Sequence, residues 1–191
     1  CAHILLATSL QNHFMTYHNS GHHRDVATPN DLTTAKKGQS FYHFAIQSQI
    51  GGYFKTWKLE REKLLRQGKS TFLNPMIILT IIPWSLQAFI FIYFGWITGT
   101  LYLLASIFGI SMLESQNYFS HYGLTRNKKE DGSYERVKAH HSWNSDHLLG
   151  RILLFELTRH SDHHFMGAKP YQVLESKADS PLLPYGYPAM L

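Results

Sequence analysis

The sequence predicts an all-α integral-membrane protein: a helical bundle with a transmembrane hairpin and a His-rich helical cap on the cytoplasmic side. Three observations carry this expectation. The 39 residues Pro75–Leu113 contain no Asp, Glu, Lys, Arg or His. All 18 Lys and Arg lie outside that run, nine before it and nine after it. All 13 His lie outside it too, and several are grouped at helical spacings.

Taken in chain order, residues 4–17 (ILLATSLQNHFMTY) read as the tail of a helix. A loop follows around Thr28–Asp31, marked by Pro, Asn and Asp. Lys55–Lys69 (KTWKLEREKLLRQGK) has the pattern of a basic amphipathic helix, suited to an anionic leaflet or to plain solvent. A bilayer core about 30 Å thick needs roughly 20 apolar helical residues. Pro75–Leu113 therefore fits two spans, Met76–Phe94 and about Ile97–Leu113, with Gly95 and Gly99 placed to turn between them. Pro83 falls inside the first span, where neighbours must satisfy the freed carbonyl. Asn127–Ser133 and Ser180–Pro188 read as further loops. The chain thus divides into 1–74, 75–113 and 114–191, three segments of one domain. Two spans return the chain to its starting side, and the positive-inside rule puts both polar segments in the cytoplasm.

Composition narrows the chemistry. Only 16% of the 191 residues are charged and 44% are hydrophobic, so the chain is not a disordered tail. The single Cys1 excludes a disulfide scaffold and a Cys-based zinc or iron–sulfur site. The net charge of +5 is explained by topology, and no basic stripe interleaved with stacking aromatics points to nucleic acid. A mean hydropathy of -0.22 conceals one chargeless run between two basic segments. The start at Cys1 rather than Met gives the expectation of a fragment or a processed product.

The histidines form three groups: His18, His22 and His23; His121 alone; and His160, His163 and His164. Residues three or four apart share a helix face, about 5–6 Å apart at Cβ. The doubled His closing two of the groups places a second ring about 100° round an α-helix, which suits ligation of two neighbouring ions. Seven imidazoles are too many for one tetrahedral zinc. Imidazole suits iron, copper, nickel and zinc alike, and a two-iron site accounts for the number best. His3, His13, His43 and His147 carry no such pattern.

These residues resemble one known family, the membrane-bound non-haem di-iron alkane 1-monooxygenases. HNSGHHRDVATPNDLTTAKKGQSFYHF (18–44) resembles the family's second histidine box with its trailing VATPxD and GxSFY segments. NYFSHYGLTR (117–126) is similar to its NYxxHYGL signature, and HHSWNSDHLL (140–149) to its HSWN segment. LTRHSDHH (157–164) resembles its last box, and LPYGYPAM (183–190) its C-terminal GYP stretch. The likeness covers nearly the whole chain. A bare HxxHH would also fit desaturases and hydroxylases of the wider superfamily; the ordered set is more specific. Three positions depart from the pattern: Tyr17 and Ser120 stand where Glu is usual, and Leu32 where Pro is usual. The family's first box, of the HExxHK type, would lie upstream of Cys1.

The resemblance implies terminal hydroxylation of medium- or long-chain n-alkanes by O2, two electrons and two protons, giving a primary alcohol and water. It implies two irons held by His18, His22, His23, His121, His160, His163 and His164, with two further ligands upstream. An unactivated C–H bond gives acid–base catalysis no handle, so the cofactor carries the chemistry. Asp162 and Asp25 are candidates to orient ligand rings through imidazole N–H groups, Glu114 matches an acidic position of the signature, and His141 belongs to HSWN without being carried over as a ligand. A membrane channel lined by residues such as Ile77, Phe89, Phe91, Leu103 and Phe108 would collect the substrate. Electrons would come from rubredoxin, fed by rubredoxin reductase and docking on Arg24, Lys36, Lys37, Arg126, Lys128, Lys129 and Arg159. The expected location is the bacterial inner membrane, multi-pass, with the histidines facing the cytoplasm. Residues 1–191 alone would then lack turnover. Alternatives are a xylene-type alkyl-arene hydroxylase or a fatty-acyl desaturase or hydroxylase on the same scaffold, and, of another class, a non-catalytic membrane metal-binding protein.

Overall fold

In the computed structural model, which describes residues 2–190, the chain is helical. Cys1, on which the exclusion of thiol chemistry turns, lies outside the described residues. No β-strand forms among them; there are only isolated bridges, Lys128 with Tyr134 and Asn144 with Leu182. The chain makes two compact units, Cys1–His22 with Ala45–Glu114, and His23–Phe44 with Ser115–Leu191.

In the first unit the helix Gly52–Arg66 buries Gly52, Thr56, Glu60 and Leu64, a four-residue repeat that forms one face. That face packs on the helix His13–Tyr17. The basic residues Lys58, Arg61, Lys63 and Arg66 remain exposed on the other side, as an amphipathic reading requires. Tyr17 is buried, and Gly21 lies so close to its ring that an added Cβ would sit 2.7 Å from it. The expected helix over residues 4–17 is two pieces, Ala2–Thr8 and His13–Tyr17. Leu10 between them has a positive φ of 59°, which a continuous right-handed helix cannot hold.

The helix Met76–His121 is long and apolar enough to cross a membrane by length and composition. Asn74 starts it by accepting the Met76 N–H at 2.9 Å, and its amide reaches the Trp57 carbonyl at 3.3 Å. Within it Gly95 takes φ 86°, ψ 166°, a conformation open in practice only to glycine. Gln87 Nε2 donates to the Gly99 carbonyl at 2.9 Å. In a straight helix those residues would be about 18 Å apart, so the axis bends sharply at Gly95. Side chains along both halves are exposed, among them Ile92, Tyr93, Trp96 and Leu101. Phe89 and Phe108, expected to line a channel, are exposed as well. Helical structure runs beyond Leu113 and ends only at His121.

The second unit is laced by polar bonds rather than by regular elements. Asp31, buried in the loop after the histidine box, accepts from the Thr33 N–H and from the Thr33 and Thr34 hydroxyls at 2.6–3.2 Å. This closed loop then pairs with the segment after His121: Gly123 N–H to the Ala35 carbonyl and Arg126 N–H to the Ala27 carbonyl.

Candidate metal centre

Five of the seven singled-out histidines lie in the second unit. His160, His163 and His164 stand on the short helix His160–Phe165, so the i, i+3 and i+4 spacing puts them on one face. The turn before this helix is strained, with Phe155 and Glu156 both at positive φ. Arg151 holds it with a bidentate ion pair to Glu156 at 2.8 and 2.9 Å. His121 comes from the end of the long helix.

The ring nitrogens converge. His160 Nε2 lies 3.0 Å from His121 Nε2 and 3.0 Å from His164 Nε2. All three side chains are buried. A second pair forms beside them, His23 Nε2 to His163 Nε2 at 3.1 Å. His23 packs against Gly167, where a Cβ would fall 2.8 Å from its Nδ1. These separations test the fit to a cation. Two nitrogens about 2.1 Å from one ion lie about 3.0 Å apart at right angles and about 3.4 Å apart at a tetrahedral angle. The observed spacings of 3.0–3.1 Å are of the size that imidazole nitrogens sharing one transition-metal cation would take.

His18 and His22 belong to the first unit, with their rings 5.3 Å apart. The helix here differs from the α-helix expected: His18–His22 is a π turn set between α-helical His13–Tyr17 and His23–Asp25. Hydrogen bonding from i to i+5 widens the turn and brings residues five apart into register.

The acids singled out in the sequence are engaged. Asp162 is buried and binds Lys169 at 2.7 Å, Lys177 at 3.3 Å and the Glu175 N–H at 2.9 Å, and no imidazole is among them. Burial alone would raise its carboxyl, but these donors outweigh that and hold it below the ordinary Asp value. The carboxylate thus fastens residues 169–177 to the helix His160–Phe165. Asp25 forms a bidentate pair with Arg24 at 2.8 Å. Glu114, in the first unit, accepts from the Gln49 amide. Ser120, one of the departures from the family pattern, shares a 2.7 Å hydrogen bond with the buried Tyr187 hydroxyl. Burial pushes that phenol up to about 12.

His141 sits in a separate group with Glu135 and His140. Its Nδ1 accepts the Lys138 N–H at 3.0 Å, so in the neutral ring the proton is on Nε2, 3.5 Å from Glu135. A protonated Nε2 and the Lys138 ammonium, 2.8 Å from Glu135, make this an ion-pair cluster, not a cation site.

Sequence reasoning passed over Asn144. This fully buried side chain accepts the Ser161 N–H at 2.9 Å, directly behind His160. The bond joins residues 17 apart through an irregular segment, and no periodicity in the sequence marks it.

Residues 2–191 match the model of the fatty acid desaturase family. The chain is 43% identical to alkane 1-monooxygenase 1 of Alcanivorax borkumensis, over 99% of its own length and 47% of the relative's. It is 44% identical to the alkane 1-monooxygenase of Ectopseudomonas oleovorans, over 98% of its length and 47% of the relative's. A lower similarity, 29% over 87% of the chain and 44% of the relative, links it to the xylene/toluene monooxygenase hydroxylase component XylM of Pseudomonas putida. The chain spans about half the length of the curated relatives it matches.

Proposed function

This chain belongs to the fatty acid desaturase family, and from that premise we propose that the whole protein is an alkane 1-monooxygenase, converting n-alkanes, O2, two electrons and two protons into primary alcohols and water. The observation that carries the reading is the convergence of His121, His160 and His164 at 3.0 Å spacings beside the His23–His163 pair. It is supported by identities near 40% to proteins named for that activity. His18 and His22 complete the proposed ligand set, and two irons are the proposed cofactor.

The bound irons would supply the O2 activation that a C–H bond demands. The chain's own groups do the rest. Neutral imidazoles hold cations without adding negative charge. Asp162, paired with two lysines, keeps its charge engaged away from the rings. An apolar cleft of about 380 Å³ in the first unit, walled by Leu10, Ile50, Phe54, Leu79, Pro83 and Trp84, is the proposed seat of the alkane chain. A channel lined by residues such as Ile77, Phe89, Phe91, Leu103 and Phe108 is the proposed route to it, with Phe89 and Phe108 exposed. The proposed setting is a bacterial inner membrane, with a hairpin bent at Gly95 and the histidines on the cytoplasmic side. Rubredoxin, reduced by its reductase, is the proposed donor. Lys36, Lys37, Lys128 and Lys129 are exposed for docking it, and Arg24 is exposed but paired with Asp25. Arg126 and Arg159 are instead spent on carbonyls of Arg24, Glu135 and Leu174.

Product analysis of the full-length enzyme under 18O2, with octane, hexadecane, xylene and a saturated fatty-acyl substrate, tests this. The expected product is 1-alkanol carrying one labelled oxygen. A desaturated acyl chain with no alcohol overturns the reading, and hydroxylated xylene without alkanol transfers it to alkyl-arenes.

A further inference from the structure

Two adjacent residues of the segment after His141 bind the backbone beside His121 and His160, whose Nε2 atoms lie 3.0 Å apart. The Trp143 N–H donates to the Ser120 carbonyl at 2.9 Å, one residue before His121. The Asn144 Oδ1 accepts the Ser161 N–H at 2.9 Å, one residue after His160. Ser120, Asn144 and Ser161 are all fully buried. Asn144 is itself fixed by its backbone, its N–H to the Pro181 carbonyl and its carbonyl to the Leu183 N–H, both at 2.8 Å. The indole of Trp143 is fixed by Nε1–H donating to the Tyr122 carbonyl at 2.9 Å.

The ligand-bearing helix needs such a partner. Its preceding residue, Arg159, provides no side-chain cap, so the first N–H groups of His160–Phe165 must be met from elsewhere. Asn144 meets one of them from a distant segment. The acceptor must be the amide oxygen, because a backbone N–H faces it, so the orientation of the side chain is determined.

We propose that Asn144 is a positioning residue: with Trp143 it forms a clip that sets the spacing of His121 and His160. This rests on the reading of those two histidines as metal ligands. The clip's span is fixed by one peptide unit, 143 to 144, so the two ring-bearing backbones cannot drift apart without breaking one of its bonds. Losing partners that orient ligands typically costs about 10–100-fold in activity or metal affinity.

The test uses the full-length protein. Asn144→Leu keeps the branched heavy-atom skeleton and removes the acceptor; Asn144→Asp keeps the acceptor, as a carboxylate at a helix N-terminus where negative charge is favourable. In metal-free protein, amide exchange in the peptide 158–165 should rise in Asn144→Leu and return to normal in Asn144→Asp. After 57Fe loading, the Mössbauer quadrupole splitting should change in the first variant and match the parent in the second. Turnover should fall about tenfold or more with KM for octane unchanged. Parent-like exchange and spectrum in Asn144→Leu overturn the proposal. So does failure of Asn144→Leu and Asn144→Ala to fold while Asn144→Asp folds, which would make the bond purely structural. The exchange measurement needs no metal. A full-length parent that binds none defeats the ligand reading, while the exchange result still decides whether the clip exists.

Discussion

His141 is held neutral by its surroundings. Burial pushes its imidazole down to about 4, and neighbouring His140, Arg126 and Lys138 act in the same direction, with Glu135 opposing them. Glu135 is also lowered, and so is held charged: its hydrogen bond from Lys138, then that from the Asn127 N–H, hold it at about 2. The consequences for stability have definite signs. Between the ordinary 6.5 and about 4, the unfolded chain binds a proton at His141 that the folded chain refuses, so acidification through that window destabilises the fold. The contribution of Glu135 is intact above 4.5 and disappears only as pH falls toward 2. Thermal midpoints of the full-length protein in detergent, taken from pH 6.5 to 4, should therefore fall less steeply in His141→Gln than in the parent. Identical slopes would show that His141 is not the group responsible. These residues also show what single positions disclose in the sequence. The histidine groups stand out in the sequence because two of them repeat helical spacings, and five of the seven residues lie in one unit. The partners of Asp162 and the role of Asn144 do not stand out, because they depend on which loops meet, and loops carry no period.

Among the elements, the long chargeless helix was the most legible, since nothing else accounts for 39 residues without a charge. Its start at Met76 and its bend at Gly95 agree with the expectation from sequence. Gly99 has a different task from the turn assigned to it. It is helical and packs against the Phe91 ring, so its missing side chain permits close approach. Gly95 alone needs a left-handed φ, and replacing it with alanine should cost about 1–3 kcal/mol. The thermal midpoint of Gly95→Ala in detergent measures this; a parent-like midpoint would mean the bend has another cause. The π turn at His18–His22 was illegible, because α and π turns draw on the same residue types and differ only in hydrogen-bond register. A second π turn, Gln47–Gly51, carries the Gln49 that reaches Glu114. In both places the widened turn stands where polar side chains must reach a partner, a frequent use of such turns.

For the molecule as a whole, the division of labour is between an apolar unit and a polar one. The first unit offers the apolar cleft and the bent helix with its exposed hydrophobic sides. The second gathers His23, His121, His160, His163 and His164 in two adjoining nitrogen clusters, braced by polar bonds from residues 24–38, 142–145 and 169–183. An alkane has almost no polar atom to recognise and enters an apolar phase at about 0.8 kcal/mol per CH2. On the proposed function its oxidation would need a polar, metal-holding site as well, and the chain presents both an apolar cleft and a polar cluster of imidazoles. The central claim is that the nitrogen clusters hold two irons. Metal analysis of the full-length protein, produced with ample iron and zinc, tests it most directly. The account predicts close to two irons per chain. One zinc per chain with no iron would contradict it.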